Sequence, residues 1–423
     1  MRKTLATLLL GAAMLPAAAM VPGAARADQV TLNWALWDEN LTAYYKPLID
    51  AYEAKHPDVT IKMTDLGSAN YDQMVMTQLS GGGSDLDVIT VKDIPNYAQL
   101  IGTKQLVDLT TDMKTPVDPK PYGGLIEALT VNNNLYALPF RADFWVAYYN
   151  KDLLDKAGLP VPTNDMTWAQ FDDLARKATS GFGNNKVYGE HFHVWRSTVE
   201  LPAIQSGEHT LIARDYSFLK PWYERALKLQ DDGTVMPYSQ LVTTKTHYSG
   251  PFFNSQIALL PMGTWFIGTQ IAKVASGEST AKNWGIVSFP HPDGVAAGST
   301  AAQVTSIGVA ANSKHKDAAL DFISFVAGPE GAKIIAQTGT IPALRDADTI
   351  KTIAATKGFP TDANSAAALQ TTKAYLELPV DPKAPDIDLV LNRAHDAIMT
   401  GSETIDQGIA DMNKGVTAIL DRK

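Results

Sequence analysis

Residues 137–149 read ALPFRADFWVAYY, and the chain continues as NKDLL over residues 150–154. The first of these segments is apolar and rich in aromatic side chains, and its only charges are Arg141 and Asp143. Apolar runs of this kind are typical of buried strands, where an unpaired charge is costly. A buried strand that carries an arginine and an aspartate just after Pro139 is therefore predicted to leave one lobe of the protein beside a polar cleft.

The length and composition of the chain predict a soluble globular protein with two or three domains. The chain has 423 residues, of which 45% are hydrophobic and 19% are charged, and single hydrophobic cores seldom grow beyond about 300 residues. It contains no cysteine. Disulfide bonds therefore play no part in its stability, and a lipidated cysteine that would tether it to a membrane is absent.

The N-terminus has the three parts of a secretory signal peptide. A basic start over residues 1–3 precedes an alanine-rich apolar run over residues 5–21, and Ala25-Arg26-Ala27 fits the A-x-A cleavage pattern. The alternative is a membrane anchor, but prolines and a glycine interrupt the run, which is also short for a membrane span. We therefore expect residues 1–27 to be a signal peptide that is cleaved after Ala27, and the mature protein to reside in the periplasm of a Gram-negative bacterium.

The net charge argues against binding to nucleic acids and to anionic lipids. The formal charge of the chain is −9, and loss of Arg2, Lys3 and Arg26 with the signal peptide gives −9 − 3 = −12 for the mature form. An acidic chain without a cluster of Lys and Arg offers no basic surface to phosphate groups.

Strands and helices alternate over the first hundred residues of the chain. The predicted strands cover residues 30–37, 59–63 and 86–91, and the predicted helices cover residues 44–55 and 71–79. This alternation predicts a mostly parallel sheet with crossover helices. Ligands of such sheets bind beyond the carboxyl ends of the strands, which points to residues 37–40, 67–70 and 92–93.

A second set of elements follows Pro139. Thr167 and Gln170 fit a capping box, in which each side chain bonds to the other's backbone amide, at the start of a helix over residues 168–179. Ser313 is predicted to cap a further helix that runs through Val326. The chain has neither an internal repeat nor a low-complexity linker, so we expect several chain crossings between the lobes.

Several segments of the chain match one pattern in the right order and at the right spacing. They are residues 84–89 (SDLDVI), 102–109 (GTKQLVDL), 139–158, 258–265 (ALLPMGTW), 284–290, 313–319 and 339–345 (GTIPALR). These short segments are spread over residues 84–345 of the chain. They resemble the bacterial extracellular solute-binding proteins of the sugar-binding type, similar to maltose-binding protein.

The resemblance implies the type II periplasmic-binding-protein fold, with two α/β lobes that are each a mostly parallel sheet flanked by helices. The chain is expected to cross between the lobes near residues 139–141, 289–298 and 339–343. The implied N-terminal lobe comprises residues 28–139 and about 298–340, and the implied C-terminal lobe comprises residues 140–297 and about 341–423. The resemblance further implies a monomer without cofactor or metal that delivers a carbohydrate to the membrane permease subunits of an ABC importer.

A cleft that binds sugars needs polar side chains for hydroxyl groups and aromatic plates for the apolar C–H faces. On the family pattern, Asp143 is the expected hydroxyl acceptor, and Trp265, which follows Gly263, is the expected stacking residue. Two alternatives stay open: Asp143 pairs only with Arg141, and Arg141 either orients Asp143 or contacts the ligand. The other expected ligand-binding residues are Trp37, Asp38, Glu39, Ser68, Lys92, Asp93, Trp195, Gly263, Gln303, Thr305 and Arg345.

Signatures of catalysis are incomplete in this sequence. Ser279 and Lys282 fit the S-x-x-K pattern without its S-D-N and K-T-G partners, and His191 and His193 occur without the H-E-x-x-H arrangement of zinc hydrolases. Carboxylates near a sugar site also resemble the acid pair of a glycosidase. A carbohydrate-active hydrolase or lyase is therefore the alternative function. A polyol, a sugar phosphate or a sulfonated sugar is the alternative ligand.

Overall fold

The computed structural model describes residues 29–81, 85–114, 117–122, 125–344, 347–370 and 373–422. The predicted signal peptide and Arg345 lie outside these residues. The strands are β1 Val30–Leu36, β2 Val59–Asp65, β3 Val88–Val91, β4 Leu138–Asn150, β5 Tyr188–Glu190, β6 Ile257–Gly263, β7 Trp284–Ser288, β8 Ser299–Val309 and β9 Lys373–Leu376.

Helices surround these strands along the whole described chain. The α-helices are α1 Tyr45–Glu53, α2 Tyr71–Ser80, α3 Ile94–Gly102, α4 Leu109–Asp112, α5 Leu125–Leu129, α6 Lys151–Lys156, α7 Trp168–Ala178, α8 Ser197–Glu200, α9 Lys220–Asp231, α10 Tyr238–Thr244, α11 Ser249–Phe253, α12 Phe266–Ser276, α13 Lys316–Ala327, α14 Pro329–Gln337, α15 Ala347–Ala354, α16 Ala363–Ala368, α17 Ala384–Met399 and α18 Ile405–Leu420. Among the described residues, none of these helices combines the length and the apolar character that a membrane crossing requires.

The described strands form one sheet in the order β2-β1-β3-β8-β4-β6-β5, with β7 beside β4 and β9 beside β8. Strand β1 pairs in parallel with β2 and β3, as the β-α-β alternation predicted, and β6 pairs in parallel with β5. Strand β8 runs antiparallel to β3 and to β4, and β4 runs antiparallel to β6 and β7. The sheet as a whole is therefore mixed, since β8 runs antiparallel to its neighbour β3, and β4 runs antiparallel to its neighbours β6 and β7.

Strand β4 is the apolar, aromatic segment that carries Arg141 and Asp143. Its residues 138–144 pair with β8, while its residues 145–150 pair with β6 and β7. The register with β8 shifts between Pro139 and Arg141, because proline lacks the N–H group that a regular ladder needs. Strand β4 therefore links the β1–β3 group, through β8, to the β5–β7 group. Arg141 and Asp143 lie in the half of β4 that pairs with β8.

Aromatic side chains dominate the core beneath these strand ends. Trp34 of β1 contacts Tyr45 and Phe322 edge-on, at ring-centroid distances of 5.1 and 5.3 Å. Tyr148 of β4 contacts Phe266 at 5.1 Å, and its hydroxyl donates to a backbone oxygen of β6 at 2.9 Å. Large buried rings in edge-on contact add stability beyond their apolar area, and here they fix the strands that carry the candidate site.

The helix starts show one correct prediction and one wrong prediction. Thr167 and Gln170 form the predicted capping box at the start of α7. Ser313 does not cap the next predicted helix, since α13 begins at Lys316 and its N-cap residue is His315. The Ser313 hydroxyl instead donates to the Asp87 carboxylate at 2.6 Å. The oxygen of the same hydroxyl accepts the backbone amide of His315 at 3.1 Å, so Ser313 bonds to the residue before the helix and not to an amide of its first turn.

Candidate functional site

The two charges of β4 are paired with each other. The Arg141 Nε atom lies 2.7 Å from Asp143 Oδ2, and the two side chains are 12% and 1% exposed. The Thr264 hydroxyl donates to Asp143 Oδ1 at 2.8 Å. The remaining donors of Arg141 reach the Tyr44 hydroxyl at 2.9 Å and the Thr305 hydroxyl at 3.0 Å. The buried charges are therefore compensated by a network that joins β4 and β8 to the residue just before α1.

The electrostatics of this network keep Arg141 charged. Burial disfavours a guanidinium ion, but the neighbouring Tyr44 hydroxyl and Asp143 carboxylate outweigh it and raise the pKa of Arg141 above its usual value. Asp143 in turn has both carboxylate oxygens engaged by Arg141 and Thr264. Asp143 is thus placed to orient Arg141. Its direct contact with a ligand stays a prediction.

Predicted residues from the carboxyl ends of β1, β2 and β3 meet beside Arg141. The Lys92 Nζ atom donates to the backbone oxygen of Ser68 at 2.5 Å and lies 5.6 Å from the centroid of the Trp37 ring. The Arg141 Cζ atom lies 6.0 Å from the same ring. Tyr71 contacts the indole edge-on, at 4.8 Å between ring centroids. Trp37 is therefore in contact with a buried tyrosine and close to two cations, as cation–π attraction favours.

Asp38 and Glu39 follow Trp37 in a tight turn. Asp38 has a φ of +52°, a left-handed conformation that aspartate tolerates better than most residues. The Glu39 backbone amide donates to the carboxylate of Asp65 at 2.9 Å. Both side chains are half-buried. The charge of Asp38 acts across the site on Tyr248, whose pKa is raised first by burial and then by this carboxylate.

Asp93 caps a helix and carries a carboxylate whose charge its surroundings disfavour. Its side chain caps α3 by accepting the amide of Asn96 at 2.9 Å, an arrangement that satisfies the free amides of a helix start. Burial nevertheless raises the pKa of Asp93, and its neighbour Asp388 raises it further. Burial and the Asp93 charge together raise the pKa of Asp72 to about 7. Carboxylates this close cannot all ionise easily, which is a common property of functional sites.

Aromatic plates form the opposite wall of the site. Trp195 follows β5 and Trp265 follows β6, and their ring centroids lie 6.2 Å apart. Trp195 is 38% exposed and contacts Tyr248 at 5.5 Å, so an indole face is available to a ligand. Gly263 is required beside them, because a Cβ atom at this position would overlap the six-membered ring of Trp265. The structure therefore brings the two plates and the glycine together, and their contact with a ligand stays a prediction.

The β8 residues Gln303 and Thr305 lie opposite the two charges of β4. In the β4–β8 pairing, Gln303 is the partner of Asp143 and Thr305 is the partner of Arg141. Thr305 is buried and its hydroxyl accepts from Arg141, so it supports the arginine from within the sheet. Gln303 is half-buried.

The prediction from sequence missed several groups that complete the site. Glu377, just after β9, accepts a hydrogen bond from the Trp145 indole at 2.6 Å, and burial raises the pKa of Glu377 to about 7. Tyr44 and Asp72 carry no motif, although both flank predicted helix starts next to strand ends that were already candidates. Their position next to a candidate loop could have been used to predict them. No sequence feature pointed to Glu377, because β9 is short and distant in sequence from β8, with which it pairs.

The chain is similar in sequence to a known protein family and to several of its members. The family model of the bacterial extracellular solute-binding proteins matches residues 38–333. The lactose-binding protein of Rhizobium radiobacter is 25% identical over 366 residues, which cover 80% of this chain and 81% of that protein. The mannitol-binding protein of Pseudomonas aeruginosa is 29% identical over 153 residues, which cover 35% of this chain and 33% of that protein.

Solved structures extend the likeness to three dimensions. A sugar transporter of Rhizobium etli, solved in an open conformation, is 60% identical with a TM-score of 0.76, and the match covers 92% of this chain and 99% of that chain. A substrate-binding protein of Listeria monocytogenes in complex with cycloalternan is 22% identical with a TM-score of 0.77, and the match covers 93% of this chain and 99% of that chain. The two-lobed α/β fold predicted from the sequence is thereby confirmed.

Proposed function

The chain belongs to the family of bacterial extracellular solute-binding proteins, and we propose that it captures a sugar in the periplasm for an ABC importer. The observation that carries the proposal is the site itself. Trp37 lies on one side of the buried Arg141–Asp143 pair, and the plates of Trp195 and Trp265 lie together beyond the ends of β5 and β6. Aromatic faces with charged hydrogen-bonding groups between them suit a molecule that has apolar C–H faces and a rim of hydroxyls.

The names of the relatives support a sugar or a sugar alcohol as the ligand. The structure that shares 60% of its sequence is named a sugar transporter, and the curated relatives are named for lactose and mannitol. The predicted export signal agrees with a family whose members act outside the cytoplasm. We infer that the mature protein works as a free periplasmic monomer and passes its ligand to permease subunits encoded elsewhere.

Closure of two lobes around the ligand is the proposed mechanism. We assign residues 28–139 and about 298–340 to the N-terminal lobe, and residues 140–297 and about 341–423 to the C-terminal lobe. Charges of the two assigned lobes lie close together: Asp388 and Arg196 of the C-terminal lobe both influence the pKa of Asp93 in the N-terminal lobe. A ligand that contacts both lobes binds the closed state more tightly and so shifts the population towards it.

A thermal-shift screen tests the proposed function. Purified mature protein is heated with lactose, maltose, mannobiose, mannitol, glucose 6-phosphate and a sulfonated hexose, each at a concentration of about 1 mM. A ligand at 100 times its dissociation constant stabilises the folded state by about 2.7 kcal/mol, so the cognate sugar is expected to raise the melting temperature clearly. The absence of a shift with every carbohydrate would contradict the proposal.

The same mixtures distinguish binding from catalysis. A binding protein returns each oligosaccharide intact after prolonged incubation, which chromatography of the recovered sugar measures. A hydrolase or lyase releases shorter fragments. Recovery of cleaved sugar in proportion to protein concentration would replace the transport proposal with the enzymatic alternative.

A further inference from the structure

Three histidines lie directly beside the aromatic wall of the candidate site. His191 and His193 follow β5, and His247 precedes α11. The His193 ring is 6.4 Å from His191 and 5.8 Å from His247 between centroids. Among the described residues, no group of three such side chains is placed to hold a metal ion. We name His191, His193 and His247 the imidazole cluster.

His193 is the member of this cluster that adjoins the aromatic plates. Its ring contacts the Trp195 indole edge-on at 4.5 Å and Tyr248 at 5.5 Å, and Trp195 is one of the expected ligand-binding residues. His193 is 6% exposed, and its Nδ1 atom has no hydrogen-bond partner among the described residues. A buried polar atom without a partner is costly. The ring therefore suits a partner that arrives from outside the protein chain.

The surroundings of His193 keep it uncharged. Burial lowers the pKa of His193 well below its usual value, and His191 and His247 lower it further. Burial also lowers the pKa of His191 to about 3. Burial also lowers the pKa of His247, and the nearby Asp38 carboxylate opposes this shift. A neutral imidazole has one donor and one acceptor nitrogen, and a hydroxyl group likewise donates and accepts.

The neighbours His247 and Tyr248 are held in fixed states beside this wall. His247 bonds through Nδ1 to the Ser249 hydroxyl at 2.7 Å, which fixes its ring. Tyr248 stays protonated because burial raises its pKa, with the charges of Arg141 and Asp143 acting in opposite directions. His193 itself receives only the influences of burial and of its two neighbouring imidazoles.

We propose that His193 determines specificity on this wall by exchanging hydrogen bonds between its neutral ring and ligand hydroxyls beside the Trp195 indole. The inference rests on the proposed sugar-binding function and names a residue that selects a ligand hydroxyl at this wall. The His191 ring lies 6.4 Å from the His193 ring between centroids, with both nitrogens buried. The unpartnered Nδ1 atom of His193 can exchange a hydrogen bond with a ligand hydroxyl in either tautomer.

Calorimetric titrations at pH 7.5 with the sugar that the thermal-shift screen selects test this proposal. His193→Phe removes both ring nitrogens and is expected to raise the dissociation constant at least tenfold. His193→Gln keeps a neutral donor and acceptor and is expected to bind more tightly than His193→Phe. His209→Gln is the control, because His209 is an exposed histidine stacked on Phe218, and its dissociation constant should equal that of the wild-type protein.

The outcomes separate this proposal from the proposed function. A wild-type protein that binds none of the carbohydrates refutes both. Binding that His193→Phe leaves unchanged refutes only the role of His193. If the variants fail to fold, nitrogen-15 spectra of the histidine rings in the wild-type protein decide: addition of sugar must shift the ring nitrogens of His193, and unchanged resonances overturn the proposal.

Discussion

Replacing Asp143 by alanine is predicted to destabilise the protein and to weaken ligand binding through Arg141. The substitution removes a carboxylate that is 1% exposed and lies 2.7 Å from the Arg141 Nε atom. Arg141 would keep only its neutral partners, the hydroxyls of Tyr44 and Thr305. Loss of one partner from a buried ion pair typically costs about 3–5 kcal/mol, because the other charge stays buried without compensation.

Urea denaturation followed by tryptophan fluorescence measures this cost. With a slope of about 3 kcal/mol per molar urea, the midpoint should fall by about 1 M or more. Asp50→Ala is the matched control, since Asp50 forms an ion pair of the same length with Lys46, but those side chains are 58% and 78% exposed. Exposed pairs contribute about 0–1 kcal/mol, so the control should move the midpoint little.

A double substitution and the dissociation constant complete the test. Arg141→Met combined with Asp143→Leu removes both charges at similar volume and should cost less stability than Asp143→Ala alone. We expect Asp143→Ala to weaken sugar binding at least tenfold, which corresponds to about 1.4 kcal/mol. If Asp143→Ala is no more destabilising than Asp50→Ala and still weakens binding, the ion-pair account is refuted and Asp143 contacts the ligand directly.

Three further predictions concern the site. Trp265→Ala should raise the dissociation constant at least tenfold (about 1.4 kcal/mol) in calorimetry, while Phe182→Ala, which removes an aromatic ring that is 87% exposed, should leave it unchanged. Gly263→Ala should also weaken binding, since its methyl group displaces the Trp265 ring, whereas Gly250→Ala has open space and should bind normally; equal affinities would contradict this. Glu377→Gln should stabilise the protein at pH 8.5 by up to about 3 kcal/mol and much less at pH 5. The pKa of Glu377 is raised from 4.5 to about 7 by burial, so its contribution to stability is complete below pH 4.5 and is lost as the pH rises through 7. Urea denaturation of both proteins at the two pH values measures the gain, and a gain independent of pH would refute it.

Local patterns predicted the parts of the site that neighbouring residues determine. Trp37 and Lys92 were nominated because they follow parallel strands, and the carboxyl ends of such strands meet at one edge of a sheet. Arg141 was nominated because a charge in an apolar strand needs a partner. These side chains lie together in the structure. Each inference needed only the period of the strand and the chemistry of one residue.

Groups that depend on long-range pairing escaped prediction. Glu377 reaches Trp145 across 232 positions of sequence, and the only element that brings it there is β9, whose four residues show no clear alternation. The mixed character of the sheet had the same cause. Strand β8 arrives between β3 and β4 from residues far along the chain, and a pattern of alternating strands and helices contains no information on that insertion.

The carboxylates of the site bear on the charge of the ligand. Burial raises the pKa of both Asp72 and Glu377 to about 7, and it raises the pKa of Asp93 as well. A raised pKa means that the surroundings already oppose negative charge. A phosphate or sulfonate brought among these groups would raise the energy of each ionised carboxylate further, whereas a hydroxyl that donates a hydrogen bond would lower it.

The two arginines of the site offset little of this repulsion, because each already forms an ion pair. Arg141 is bound to Asp143, and Arg196 is bound to Glu200 at 2.6 Å. An anionic ligand that took over either arginine would leave a buried carboxylate without its partner, which costs more than the loss of an exposed pair would. A neutral sugar or polyol needs no such exchange, since its hydroxyls can donate to the carboxylates as they stand. Of the alternative ligands, the charge distribution therefore favours an uncharged carbohydrate over a sugar phosphate or a sulfonated sugar.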